Sequence, residues 1–311
     1  MNQPLQDKSL KNASDENARC GFVALLGLPN AGKSTLLNAF VGQAVSITSP
    51  KPQTTRFPVR GIGLSGDAQV IVVDTPGLLG KPKTVLDRSM LRSATAELSQ
   101  VDQVLLVVDV TKSDPWPAIQ KRLGADLPPT IWVAFNKIDL IQKPKLLEWA
   151  ARYKDRAARI FMVSAKKQDG TDDIWKALGD AMPKGPWMYD AETLTTLPQR
   201  VWAAEVTRQV LLESLKEEVP HHLYVETERF EKGARRALII GQVIHVSAAG
   251  HKKIVLGKKG QRLKEIGTRA RLLLSQRFHK KVHLYLFVRV TENWMDKSDF
   301  YRMAGLEKHN G

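Results

Sequence analysis

"GLPNAGKS", Gly27 to Ser34, fills the pattern G-x-x-x-x-G-K-[ST] completely. The β-rich run "FVALLG" (22–27) leads into it and a helix-like run, "TLLNAFV", leaves it at Thr35. A glycine-rich loop in that setting turns backbone N–H groups toward a helix N-terminus, where a β-phosphate meets both donors and a favourable dipole. Gly27, Leu28, Pro29, Asn30, Ala31, Gly32, Lys33, Ser34 and Thr35 are therefore expected to wrap a nucleotide. Lys33 would neutralise β- and γ-oxygens and the Ser34 hydroxyl would ligate Mg²⁺. A glycine-rich turn with an incidental lysine is the plain alternative, and the strand–loop–helix setting argues against it.

The other parts of a guanine-nucleotide site follow in order along the chain. "QTTR" (53–56) supplies threonines, Thr55 foremost, to close a Mg²⁺ shell when γ-phosphate is present. "DTPG" (74–77) ends the apolar run "VIVVD", so Asp74 can reach Mg²⁺ through water and the Gly77 N–H can meet a γ-phosphate. Lys33, Thr55, Asp74 and Gly77 are thus the catalytic candidates, with Ser34, Thr55 and Asp74 as the metal set. "NKID" (136–139) ends another such run. There Asp139 can accept from guanine N1–H and N2–H₂ while Asn136 meets the base edge and the Lys137 stem lies along its face. Adenine lacks that donor pair and would leave the carboxylate unpaired, so the motif selects GTP or GDP. "SAK" (Ser164, Ala165, Lys166) can offer a backbone N–H to guanine O6. Any one of these could be structural; together, at strand ends where α/β sheets bind ligands, they point to a site.

Two positions bear on mechanism. Ras-type enzymes hold a water-orienting glutamine just after the switch glycine, but here Leu78 stands there, which predicts slow intrinsic hydrolysis. Asn30 has two readings: a ligand, with phosphate oxygens, for a monovalent cation such as K⁺ that supplies positive charge, or a plain turn residue.

The runs at 22–27, 70–74, 104–110, 130–136 and 160–164 alternate with helix-like segments and are apolar throughout, as strands buried on both faces are. They predict an α/β P-loop GTPase domain, a mostly parallel sheet flanked by helices, with Arg56–Leu64 as an antiparallel edge. "MPKGPW" (182–187) and Pro198 break the pattern. The expected division is a flexible tail over 1–19, a GTPase domain over 20–183, a linker over 184–199 and a second domain over 200–311. The tail carries Asp7, Asp15 and Glu16 and has no apolar core, unlike a signal or transit peptide. The longest apolar runs have strand length, well short of the ~18 residues that span a bilayer. Cys20 is the sole cysteine, which excludes an intrachain disulfide and fits a reducing cytoplasm.

The formal net charge is +15, from 47 Lys+Arg against 32 Asp+Glu, and favours a polyanionic partner. Most of that excess lies between His245 and Val290, with 12 Lys+Arg and one acid, Glu265. At its centre is "VLGKKGQRLKEIG", Val255 to Gly267. The bare G-x-x-G also occurs at 63–66 and 77–80, so the loop alone says little. Its surroundings say more: an amphipathic helix-like 200–218, β-like 222–230 and 237–247, the loop, a helix-like 262–278 and a final strand 281–290. That α-β-β-α-β order, without GK[ST] or a nearby Mg²⁺-binding acid, is expected for a smaller α+β KH domain of type II, whose glycine pair packs against nucleotide phosphates. The RNA-binding candidates are Lys252, Lys253, Gly257, Lys258, Lys259, Gly260, Arg262 and Lys264; a connector beneath a solvated basic face is the alternative.

"GLPNAGKSTLLN", "SITSPKPQTTR", "DTPGL", "NKID" and "SAK", then "PHHLYVETERF", "KKIVLGKKGQRLKEIG" and "VHLYLFVRV", resemble in sequence and order the Era family of bacterial Ras-like GTPases with a C-terminal KH domain, over roughly residues 20–305. The resemblance implies GTP hydrolysis coupled to KH recognition of the 3′ end of small-subunit ribosomal RNA during assembly of the small ribosomal subunit. It also implies a cytoplasmic protein, a monomer, with peripheral association at the inner face of the cell membrane. Two other readings stand beside it: an RNA-binding assembly factor with a largely structural nucleotide, and a membrane-surface GTPase whose basic face binds lipid.

Overall fold

The structure is a computed structural model that describes residues 17–51, 54–77, 88–89, 92, 95–96, 98, 100–124, 130–215 and 219–294. Leu78 and Gln53 lie outside the described residues.

The first sheet is built from β1 (Arg19–Leu26), β2 (Val59–Ser65), β3 (Ala68–Asp74), β4 (Gln103–Asp109), β5 (Ile131–Asn136) and β6 (Arg159–Val163), in the order β2-β3-β1-β4-β5-β6. β2 runs antiparallel to β3, and the remaining pairs are parallel. β3 and β5 are buried at every position, as the unbroken apolar runs predicted. One face is covered by α1 (Lys33–Val41) through Leu36, Leu37 and Phe40, and by the helix Thr171–Ala181 through Ile174 and Leu178. The other is covered by α2 (Trp116–Leu123) and α3 (Lys143–Tyr153), whose Ile119, Leu123, Leu146, Trp149 and Tyr153 meet Leu106, Val108 and Phe135. The helix Thr171–Ala181 is α4. Chain order reverses on either side of β1, so the loop after β1 opens at a crevice beyond the strand C-termini.

Ala18 and Arg19, placed in the tail by sequence, belong to the fold: Ala18 is buried and the Arg19 N–H donates to the Asp67 carbonyl at 3.2 Å. The segment 184–198 is packed against the first sheet, with Trp187 and Tyr189 beside Cys20, Ile62 and Ile71. Burial pushes the Cys20 thiol up, consistent with a filler role beside β1.

The second sheet is β7 (Leu223–Lys232), β8 (Leu238–Val246) and β9 (Val282–Val290), antiparallel then parallel. α5 (Gln199–Ser214) and α7 (Gln261–Phe278) pack against it through Ala204, Val210, Leu211, Ile266 and Ala270. Two expectations need correction. The region before the GKKG loop forms a short helix, α6 (Ala249–Leu256), so the order is α-β-β-α-α-β. Only Val255 of α6 is buried, so the segment carries little helical periodicity, and eight residues form a marginal helix by themselves. α5, expected to be amphipathic, is buried nearly all round, because it lies between the second sheet and the segment 45–59 of the first domain. Ile47 packs with Trp202 and Val206, while Tyr224 and Trp294 join the cluster of Val45 and Phe57. Among the described residues no helix is long and apolar enough to cross a membrane.

Candidate nucleotide site and nucleic-acid face

A cavity of about 1030 Å³ opens beyond the C-terminal ends of β1, β4, β5 and β6. Residues 28–35, Thr55, Gly77, Asn136, Lys137, Asp139 and 164–166 line it, bringing both the phosphate and base motifs to one place. Of the nucleotide candidates, Gly27 and Asp74 do not reach its wall: Asp74 is wholly buried at the end of β3 beneath it, and Gly27 is the hinge where β1 leaves the sheet.

Lys33 is 6% exposed and donates to the carbonyls of Gly27 and Leu28 at 3.2 and 3.3 Å. Burial pushes its ammonium down and the Asp74 carboxyl up, and the charge of each opposes the shift of the other. Around Asp74 the oxygens converge. Ser34 Oγ donates to Asp74 Oδ2 at 2.5 Å, Ser46 Oγ at 2.9 Å and Thr55 Oγ1 at 3.2 Å, and Thr55 Oγ1 lies 3.1 Å from Ser34 Oγ. Asp74 Oδ1 is buried with no hydrogen-bond partner among the described residues. One carboxylate among hydroxyls, with an orphaned buried oxygen, fits Mg²⁺, which binds through few protein oxygens and shares its shell with phosphate and water. Of the two threonines in "QTTR", Thr54 turns away to donate to the Lys51 carbonyl at 2.8 Å, and Thr55 turns in.

The base end is tied together by Asn136. Its Nδ2 donates to the Ala31 carbonyl at 2.8 Å, and its Oδ1 accepts the Lys137 and Ala165 N–H groups at 2.8 and 3.0 Å. The Ala165 N–H, one of the backbone donors that "SAK" is expected to offer to guanine O6, is thus engaged by Asn136. Lys137 takes a left-handed φ of 68° and reaches back to the Asn30 carbonyl at 2.8 Å and to Asp109 Oδ2 at 2.5 Å. Ser164 Oγ donates to Asp139 Oδ1 at 2.7 Å, which leaves carboxylate lone pairs available to a base. Asn30 sits at φ 63° with its Nδ2 donating to the Pro50 carbonyl at 2.7 Å. Sequence reasoning passed over Asp109, Lys112 and Glu213, all on the cavity wall. Asp109 could have been found from its place at the end of β4. Glu213 belongs to α5 of the second domain, and nothing local in the sequence marks it.

The second loop leads directly into the N-terminus of α7. Gly257, Lys259 and Gly260 all have positive φ (71°, 51° and 77°). A Cβ on Gly257 would stand 2.6 Å from Arg262 Cβ, whereas one on Gly260 would meet nothing, so a ligand backbone can come close there. Lys253, Lys258, Lys259, Arg262 and Lys264 are exposed and Lys252 is half-buried. Arg262 also closes the loop by donating to the Ile254 carbonyl at 2.7 Å. The cationic footprint is smaller than the count of 12 suggested, because Arg269 pairs with Glu213, Arg289 pairs with Glu228, and Arg277 is half-buried over the Trp202 ring.

A P-loop GTPase joined to a KH domain is the class that this fold and these two sites define. The family profile described as "50S ribosome-binding GTPase" matches residues 22–137, and that described as "KH domain" matches residues 218–295. The chain is 43% identical over 303 residues to GTPase Era of Afipia carboxidovorans, covering 95% of this chain and 98% of the relative. It is 42% identical over 296 residues to GTPase Era of Agrobacterium fabrum, covering 94% and 93%. Era in complex with MgGDPNP and nucleotides 1506–1542 of 16S ribosomal RNA superposes with a TM-score of 0.84 at 35% identity, over 93% of this chain and 99% of that one. A variant of Era from Aquifex aeolicus bound to GDP and AlF₄⁻ gives the same TM-score and identity over 92% and 99%. The chain belongs to the Era family of GTPases.

Proposed function

We propose that this GTPase acts in assembly of the small ribosomal subunit, with its nucleotide state governing how the KH domain holds the 3′ region of small-subunit ribosomal RNA. The observation that carries this is the separation of the two loops: the nucleotide motifs converge on one cavity of the first domain, and the GKKG loop stands exposed on the second. The related structure that holds both MgGDPNP and 16S nucleotides supports the pairing of ligands.

In this reading Lys33 neutralises the β- and γ-phosphates, and Ser34 and Thr55 ligate Mg²⁺, with Asp74 joined through water. When bound, Mg²⁺ offsets charge on the phosphates as the γ-group is transferred to water. The Gly77 N–H faces the γ-phosphate. Asp139 reads guanine, Asn136 and Lys137 hold the phosphate loop against the base loop, and residues 164–166 border the base. Asn30, with the phosphate oxygens, would hold K⁺, which would supply positive charge there. Lys252, Lys253, Lys258, Lys259, Arg262 and Lys264 attract RNA phosphates while Gly257 and Gly260 let its backbone approach. With Ala18 and Arg19 in the first domain and Gln199 opening α5, the units are a tail over 1–17, domains over 18–183 and 199–311 and a linker over 184–198. The protein works as a monomer in the cytoplasm, with an anionic membrane surface as a second acceptor of the cationic face.

Multiple-turnover phosphate release from GTP tests the enzyme: Lys33→Ala is expected to lose it, and equal rates would contradict the assignment. Crosslinking in cells tests the partner. RNA footprints that survive GKKG substitution while liposome binding falls would favour the lipid surface over RNA.

A further inference from the structure

The loop that carries Thr55 is held from the other domain. Arg208 of α5 is 1% exposed and donates from Nη2 to the Thr54 carbonyl, one residue before Thr55. Glu205, one turn earlier on the same helix, pairs with the Arg208 guanidinium and offsets its buried charge. One residue after Thr55, Arg56 is 3% exposed and donates to the carbonyls of Leu223 and Pro220 at 2.7 and 3.3 Å, with its guanidinium 5.5 Å from the Trp294 ring. Lys51 donates to the Leu215 carbonyl at the end of α5. Between these attachments Thr55 points inward to Ser34 and Asp74.

We propose that Arg208 is a positioning residue for GTP: docking of the KH domain fixes the Thr54 carbonyl, and thereby turns the Thr55 hydroxyl into the Mg²⁺ site. The inference rests on the reading of Thr55 as a Mg²⁺ ligand. Peptide geometry carries the effect, because a fixed carbonyl on one side and a fixed arginine on the other leave the Thr55 backbone little freedom. GDP, which presents no γ-phosphate, does not call on Thr55 in this way, so the contact biases triphosphate against diphosphate. Linkage makes the bias reciprocal: a triphosphate that draws Thr55 inward also favours the docked arrangement of α5.

The test uses the full chain, with fluorescent GDPNP and GDP titrated in the presence of Mg²⁺. Arg208→Ala is expected to weaken GDPNP by about 10-fold or more, the range for losing a charge-assisted hydrogen bond, and to leave GDP affinity unchanged. Thr55→Ala is expected to do the same, Thr55→Ser to restore the ratio, and the Arg208→Ala, Thr55→Ala double variant to add little. Unchanged GDPNP affinity in Arg208→Ala, or equal weakening of both nucleotides, overturns the proposal. If Arg208→Ala does not fold, Arg208→Lys carries the test, since it keeps a charge beside Glu205 but loses the planar fork. A Thr55→Ala variant that keeps the full ratio refutes the Mg²⁺-ligand reading itself, whatever Arg208 does.

Discussion

The Asn136 amide occupies the space where Gly32 would carry a side chain: a Cβ on Gly32 would lie 2.1 Å from Asn136 Nδ2. Gly32 also holds a φ of 100°, which side chains rarely adopt. The phosphate loop and the base loop are therefore fitted closely to each other.

Gly32→Ala is expected to displace Asn136, whose other contacts hold Ala31 and Ala165. Nucleotide affinity should fall at least about 10-fold from the misplaced loop and lost hydrogen bonds. Titration with fluorescent GDP checks this, and circular dichroism should show the fold retained.

If Asp139 is the acceptor for guanine N1–H and N2–H₂ as proposed, Asp139→Ala removes it from the first-domain cavity and leaves the GKKG loop of the second domain untouched. GTP affinity should fall by about 10-fold or more, the preference for GTP over ATP should shrink, and RNA affinity should hold. Competition binding with both nucleotides and an RNA gel shift measure the three.

Asn30 leads to a prediction about ions. If K⁺ binds beside Asn30 and the phosphates, turnover in K⁺ should exceed that in Na⁺, and Asn30→Ala should remove the difference. Equal rates in the two salts would leave Asn30 as the turn residue that its φ of 63° also suits.

Asp109 gives a pH dependence. Burial alone would raise its carboxyl, but hydrogen bonds from Lys137 and Thr111 and the Lys137 charge hold it below the usual carboxylate range. A depressed carboxyl contributes stability that is present above its unfolded pKa of about 3.9 and is lost as pH falls through the lower folded value. Asp109→Asn should thus lower the Tm at pH 7, and the gap to wild type should close in acid below about pH 3.9. Thermal melts across that window check it.

What the sequence revealed, and what it concealed, follows from how local each signal is. The P-loop, Asp74 and "NKID" were legible because each stands at the end of a strand whose last four residues are buried, β3 and β5 throughout, so that apolar run and motif adjoin. Helix α6 was not legible, since one buried residue in eight leaves no periodicity to read. Arg208 and Glu213 were hidden for a different reason. They sit 154 and about 180 residues from the loops they approach, and only the docking of α5 brings them there. Similarly, the count of 12 cations could not separate Arg269, Arg277 and Arg289, which are engaged within the protein, from the lysines at the loop.

In the proposed function the two Gly-Lys loops hold phosphates of different molecules. Lys258→Asp with Lys259→Asp reverses the charge of exposed side chains that make no hydrogen bond across the domain junction among the described residues. Affinities for a 3′-terminal small-subunit rRNA fragment and for GTP, measured on the same preparation of the double variant, test the claim directly. Separate sites predict loss of RNA binding with GTP affinity unchanged. RNA binding that persists, or equal loss of both ligands, would contradict it.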